Sequence, residues 1–203
     1  MLLDYSYAKR MMDKYGIRSI ESRYVASAED AVKFANDDPI VLKVLSQKAL
    51  HKSKSGLVVL DLSAARDITD AYKQLSNKAR GLKPYRILAQ RMVKGGVEII
   101  IGGKVDAQFG KLILLGLGGI YVETFKDFAL RVCPITKYDA QAMLNQLKSR
   151  KVIAPDEKTE ATIISLLMKA SKMFMENDVS EIDLNPIIIH DGTYDAVDLR
   201  MLE

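Results

Sequence analysis

The chain is 203 residues long, with 48% hydrophobic residues, 28% charged residues and only 5 prolines, which excludes a disordered tail and leaves ample length to bury a core without covalent staples. Its one cysteine, Cys133, excludes an intrachain disulfide; no apolar run reaches the roughly 18 residues of a membrane span, and the opening Met-Leu-Leu-Asp lacks the order of a signal peptide, so a cytoplasmic protein without membrane contact is expected. Lys and Arg (30) exceed Asp and Glu (26) by a formal +4, and the excess is local, because residues 39–60 hold no acid but contain Lys43, Lys48, Lys52 and Lys54. With 7% aromatic residues and no Trp for base stacking, that segment points to a pocket for an anion such as phosphate and away from a nucleic-acid face.

In chain order, the spacing of Tyr5, Ala8, Met11, Met12 and Tyr15 after Asp4 predicts a short amphipathic helix that Gly16 ends. A short apolar segment around Tyr24 and Val25 precedes a helix from Ala28, capped by Ser27 with Asp30 three residues on and closed by Asp37-Asp38-Pro39. Residues 40–44 and 57–62 read as strands, and Ser63 is placed to cap a helix carrying Ala65, Ile68, Ala71, Tyr72 and Leu75 that Gly81 and Pro84 terminate. From Arg86 the texture changes to strands at 87–93, 97–101, 111–115 and 129–133, separated by glycine-bearing turns. Thr136 with Asp139 caps a further helix, 159–176 is a longer one, and two strands joined by Asp191-Gly192 close the chain. Helices and strands alternate without a parallel-sheet period, so the fold class is α+β. Two lobes meeting near Gln90 are expected, with an N-terminal helix over 1–18, a first lobe over 19–88 and a second over 89–203.

The terminal hairpin carries the sharpest inference. Asp-Gly favours a two-residue loop, so His190 should face Thr193, and counting back from the turn Asn185 faces Asp198 and Asp183 faces Arg200 on the same side. Directly opposed side chains on a ribbon start roughly 5 Å apart, and an amide oxygen with a carboxylate at that spacing forms half a site for Mg²⁺, which completes its shell with water and substrate phosphate. The competing reading is a solvated face with an Asp183–Arg200 ion pair, and Pro186 threatens the register with a bulge.

Lys43 interrupts the apolar run Ile40, Val41, Leu42, Val44, so it either snorkels to an edge or offers a point charge to a phosphoryl oxygen. His51 lies in the acid-free basic segment, where neighbouring cations favour the neutral, nucleophilic imidazole and would steady a transferred phosphoryl group. His190 at a hairpin turn carries no such reading. Gly116-Leu117-Gly118-Gly119 after an apolar strand is either a tight turn or a place where backbone N–H groups approach an anion. Glu98, on the side of Ile100, is a solvent-facing acid or a hydroxyl acceptor, and Cys133 reads as core.

Taken in order, Lys43, HKS at 51–53, AQRM at 89–92, GVEIIIG at 96–102, FGKLILLGLGGIYVE at 109–123, RVCPIT at 131–136 and EIDLNPI at 181–187 resemble the ATP-grasp subunit of ADP-forming acyl-CoA synthetases. The likeness runs nearly end to end and is strongest to the separate beta subunit of the acetate–CoA ligases. It implies an ATP-grasp fold of two α+β lobes with ATP or ADP between them. It also implies that Lys43 contacts phosphate, that Gln90, Arg91 and Met92 form the hinge strand against adenine, that Glu98 binds ribose, that Gly118 and Gly119 belong to the nucleotide site, and that Asn185 and Asp198 hold Mg²⁺. The reaction implied is acyl-CoA + ADP + phosphate ⇌ carboxylate + CoA + ATP through phosphohistidines, with His51 exchanging a phosphoryl group with ADP. Acyl-CoA chemistry then falls to a CoA-binding alpha subunit in a heterotetramer.

Two segments depart from the family pattern. Lys54, Ser55, Gly56 and Leu57 follow HKS where the family continues with an aspartate, a small residue and two glycines, and a shortened segment at 149–155 replaces one containing glycine and arginine. These changes motivate a rival reading, a non-catalytic nucleotide- or partner-binding subunit; a third reading, a stand-alone ATP-dependent carboxylate ligase, predicts ADP release with acid and amine or thiol but without any partner.

Overall fold

A computed structural model describes residues 1–48, 56–119 and 127–203. The elements in chain order are α1 (Tyr5–Lys14), β1 (Ser22–Val25), α2 (Ala28–Ala35), β2 (Ile40–Ser46), β3 (Val58–Leu62), α3 (Ala65–Lys78) and a 3-10 turn at Ala79–Leu82. After it come β4 (Tyr85–Arg91), β5 (Val97–Asp106), β6 (Gly110–Leu117), β7 (Phe128–Val132), α4 (Lys137–Gln146), a one-turn α5 (Arg150–Ile153), α6 (Glu157–Glu176), β8 (Glu181–His190), β9 (Thr193–Ala196) and β10 (Leu199–Leu202). They form two compact units, Ile20–Lys94 on one side and Met1–Ser19 with Gly95–Glu203 on the other. Among the described residues no helix is long and apolar enough to cross a membrane.

The Ile20–Lys94 unit is an antiparallel sheet in the order β1-β4-β2-β3. Alternation sends Ile40, Leu42 and Val44 of β2 with Ile87 and Ala89 of β4 into one apolar core, which Phe34, Ile68 and Leu75 from α2 and α3 complete. The Ser27 hydroxyl accepts from the Asp30 N–H at 3.2 Å, and Asn36 closes α2 in the left-handed region at φ 46°. Helix α3 departs from expectation: Asp61 takes φ 56°, the helix starts one residue later than a Ser63 cap requires, and Ala64 caps it without a side-chain hydrogen bond. β4 runs unbroken to Arg91, so the whole strand belongs to this sheet.

The other unit holds a sheet ordered β10-β8-β5-β6-β7, with β9 also paired to β8. One face is covered by α6, which packs on β5 and β6, and by α4, which packs on α6 and β7. Ile99, Ile101, Ile113, Leu115, Ile182 and Leu184 meet Leu166, Leu167 and Phe174 there, all nearly inaccessible, and each contributes about 1.5–3 kcal/mol by burial. The capping box at Thr136 forms as expected, the Asp139 N–H donating to the Thr136 hydroxyl at 3.2 Å and the Thr136 N–H to the Asp139 carboxylate at 2.8 Å. Asp156 caps α6 by accepting the Thr159 N–H at 2.8 Å. Helix α1 packs on β10, and the Leu3 N–H donates to the Met201 carbonyl at 2.9 Å, which shields the β10 edge. The opposite face of the sheet carries the polar residues of β5, β8 and β10.

Candidate functional site

The hairpin forms in the register that the turn imposes. Asp191 at φ 49° and Gly192 at φ 69° supply the two left-handed positions of a two-residue loop. His190 pairs with Thr193 and Ile187 with Ala196 in β9, and the same count continues as Leu184 with Leu199 and Asp183 with Arg200 in β10. Between these ladders the strand facing β8 is interrupted, and Asn185 and Asp198 sit opposite each other in the gap, joined by an Asn185 N–H to Asp198 carbonyl bond of 3.2 Å. Pro186 does introduce an irregularity, but on the other side. Against β5, Ile99 pairs with Ile187 and Ile101 with Leu184, so two residues of β8 oppose one of β5. Val197 and Asp198 match Asn185 and Pro186 one for one across the hairpin, so both strands slip together and the pair stays aligned.

This gap lies on the open face of the sheet. Ile182, Leu184, Leu199 and Met201 point into the core, whereas Asp183, Asn185, Asp198 and Arg200 are half-buried on the opposite side. Burial pushes the Asp183 carboxyl up from its ordinary value, and the charge of Asp198 adds to the effect while Arg200 opposes it. Arg200 also lies 4.0 Å from Glu181, and its Nε is buried without a hydrogen-bond partner. The Leu199 N–H donates to Asp198 Oδ1 at 3.1 Å and orients that carboxylate. An amide oxygen and two mutually repelling carboxylates fit a hard, oxygen-seeking cation such as Mg²⁺, which would relieve the repulsion. Among the described residues no group of three or more His, Cys, Asp and Glu side chains is placed to hold a metal ion by itself, so the amide oxygen of Asn185 and water or phosphate oxygens would have to complete the shell.

Glu98 occupies the same open face, opposite Ile188 on β8. Its carbonyl accepts the Gly118 N–H at 2.7 Å. A Cβ on Gly118 would come within 2.9 Å of the Glu98 backbone, and one on Gly119, at φ 73°, within 2.8 Å of the Glu98 carboxylate. The glycines therefore let the end of β6 close onto Glu98, and the exposed carboxylate lies beside them.

In the Ile20–Lys94 unit, Lys43 pairs with Leu88 and Val41 with Gln90, which puts Lys43 and Gln90 on the sheet face that the helices leave open. Both are buried, Lys43 at 6% exposure and Gln90 at 0%. Arg91 points the other way. It donates to the Ala35 carbonyl at 2.6 Å, lies 3.2 Å from Glu21 and 3.5 Å from Asp38, and stacks over Phe34 at 4.8 Å. Its side chain thus ties β4 to the end of α2 and takes no place beside Gln90. The Met92 N–H donates to the Pro39 carbonyl at 3.0 Å. His51 lies outside the described residues, with the rest of 49–55 and with residues 120–126.

Three side chains outside the expected set shape the site's surroundings. Asp127 accepts the Lys148 and Ser149 N–H groups at 2.8 Å each, and Arg150 pairs with Glu160 at 2.6 Å, so the shortened segment at 149–155 is anchored to β7 and α6. Asp195 bridges His190 at 2.8 Å and Arg18 at 3.1 Å, which gives His190 a structural role at the hairpin end. The His190–Asp195 pair lies diagonally across the terminal hairpin, within the register that Asp-Gly sets, whereas tertiary proximity alone joins Asp195 to Arg18 and Asp127 to Lys148 and Ser149. Cys133 is buried, and burial pushes its thiol up.

Residues 1–202 match the family described as ATP-grasp domain. The beta subunit of ADP-forming acetate–CoA ligase I from Pyrococcus furiosus is 34% identical over 96% of this chain and 89% of its own length. Among solved structures, acetyl-coenzyme A synthetase 1 of Ca. Korarchaeum cryptofilum with coenzyme A and Ca-AMPCP superposes with a TM-score of 0.88 at 32% identity, covering 100% of this chain and 92% of that one. A second structure of that protein, with Mg-AMPPCP and a phosphohistidine segment pointing towards the nucleotide binding site, gives 0.83 at 32% identity over 99% of this chain and 92% of that one. The chain belongs to the ATP-grasp domain family and, within it, to the beta subunits of ADP-forming acetate–CoA ligases.

Proposed function

We propose that this chain is the nucleotide-binding, phosphoryl-transfer subunit of an ADP-forming acyl-CoA synthetase, an acid–thiol ligase that works in the cytoplasm with a CoA-binding alpha subunit in a heterotetramer. The observation that carries the reading is the alignment of Asn185 with Asp198 on the open face of the sheet, in a gap between two hairpin ladders. Asn185 and Asp198 would hold Mg²⁺, which when bound neutralises phosphate charge. Glu98 accepts hydrogen bonds from the ribose hydroxyls, and the Gly118 and Gly119 backbone borders the nucleotide. Lys43 presents its ammonium to a phosphate oxygen from a strand buried enough to strengthen the attraction. Gln90 and Met92 line the base, while Arg91 holds their strand in place.

His51 is assigned as the phosphoryl carrier on its motif and its basic neighbourhood. In the direction of ATP formation, a terminal oxygen of ADP forms the new O–P bond as the N–P bond of the phosphorylated imidazole breaks; the bonding pair returns to that ring nitrogen, and the proton carried by the other ring nitrogen makes the released imidazole neutral. Positioning and charge neutralisation supply most of the rate enhancement in such transfers. The test is incubation of the purified chain with Mg²⁺ and γ-labelled ATP, wild type beside His51→Ala. Label that resists base, is lost in acid and is absent from the variant is expected. Equal labelling of the variant would overturn the assignment of His51.

A further inference from the structure

Helix α6 leaves an apolar face uncovered on the side away from the sheet. Together with the Pro134-Ile135 link into α4 it forms an open groove of about 660 Å³, floored by Ile164, Met168 and Met175. Met168 and Met175 remain 37% and 40% exposed, and methionine is the side chain best able to repack against an incoming surface. The floor follows α6 from Ala161 to Glu176, a length of about 22 Å at 1.5 Å per residue. That shape suits an elongated segment of chain better than a compact metabolite.

The rim sets the chemistry of the occupant. Lys137 stands on one bank with Lys169 and Lys172 on the other, and Glu176 is the single acid among the lining residues. Glu176 accepts from the Tyr15 hydroxyl at 2.9 Å and pairs with Lys172 at 3.9 Å, and Lys169 donates to the neutral Gly16 carbonyl at 3.0 Å, so three cations against one acid leave the rim net positive. An apolar trough with a net positive rim complements a helix that carries an apolar stripe flanked by Asp and Glu. The groove lies on the helix-covered side of its unit, opposite the face bearing Asn185, Asp198 and Glu98, so an occupant there leaves the metal and nucleotide residues open.

We infer that this groove is the docking surface for an acidic amphipathic helix of the CoA-binding alpha subunit. The inference rests on the proposed function insofar as it requires that partner. Its test is assembly of the full chain with the alpha subunit, followed by sedimentation and titration, for wild type, Met168→Glu/Met175→Glu and Lys137→Glu/Lys172→Glu. All four substituted positions lie on the groove's lining, and the lysine pair removes no apolar packing, so it reports even where the methionine pair perturbs α6.

Both variants are expected to bind the alpha subunit at least tenfold more weakly. Wild-type affinity should fall with added salt, and the lysine variant should lose most of that salt dependence. Unchanged assembly of the lysine variant would overturn the proposal. So would a wild-type chain that fails to bind the alpha subunit, or one that pairs with itself through this groove. Labelling of the isolated chain by γ-labelled ATP reads the phosphoryl-transfer function separately, so failure of docking and failure of that function are distinguishable.

Discussion

Gly118 places a firm steric demand beside Glu98, because a Cβ there meets the Glu98 main chain at 2.9 Å, where no side-chain rotation can relieve it. Gly118→Ala should therefore destabilise the protein by about 1–3 kcal/mol and weaken nucleotide binding together with stability, as thermal unfolding and ATP titration would show. Wild-type values in both would mean that β6 does not close onto Glu98. Arg91 makes the opposite case. Its ion pairs with Glu21 and Asp38 and its bond to Ala35 are structural, so Arg91→Ala should cost about 1.5–3 kcal/mol of stability while the folded protein keeps its affinity for ATP. A selective loss of ATP affinity would return Arg91 to the nucleotide. The sequence motif groups Gln90, Arg91 and Met92 together, yet the period of two along a strand already separates Gln90 from Arg91. Which of the two faces is covered by helices is settled only by packing.

Among the elements, the hairpin was the most legible, since Asp-Gly dictates the loop and every pair follows by counting. The interruption between β9 and β10 was legible only as the threat that Pro186 poses to the register, because its place depends on how β8 bulges against β5. The cap of α3 was misread at Ser63 for a similar reason, as the left-handed Asp61 before it moves the helix start. Asp127 shows how a long-range cap gains meaning from structure. Burial alone would push its carboxyl up, but hydrogen bonds from Ser149 and Lys148 outweigh that and hold it below the usual carboxylate range. A depressed carboxyl binds its proton less readily in the folded than in the unfolded chain, so its contribution is present above the ordinary carboxylate range and is lost as pH falls through the folded value. Asp127→Asn should thus lower stability at neutral pH, and the two proteins should converge in acid. A constant difference across the acid titration would show that the hydrogen bonds do not depend on the charge.

At the scale of the whole molecule, two α+β units were legible from the change of texture near residue 86 and from the ordered motifs. The position at which the chain passes between the units is a matter of strand pairing. The unit that holds β4 ends at Lys94, three residues past the strand, and α1 joins the other unit through β10, a pairing between the two ends of the sequence that periodicity cannot reveal. The residues proposed for the nucleotide and metal are likewise divided, with Lys43 and Gln90 in one unit and Glu98, Gly118, Gly119, Asn185 and Asp198 in the other. The proposed function rests most heavily on the aligned Asn185 and Asp198 as the residues that would hold Mg²⁺. The most direct test is calorimetric titration of ATP into wild type and Asp198→Ala, with and without Mg²⁺. Mg²⁺ should tighten ATP binding to wild type at least tenfold and do nothing for the variant, whose metal-free binding is retained. The same Mg²⁺ enhancement in Asp198→Ala would contradict the account.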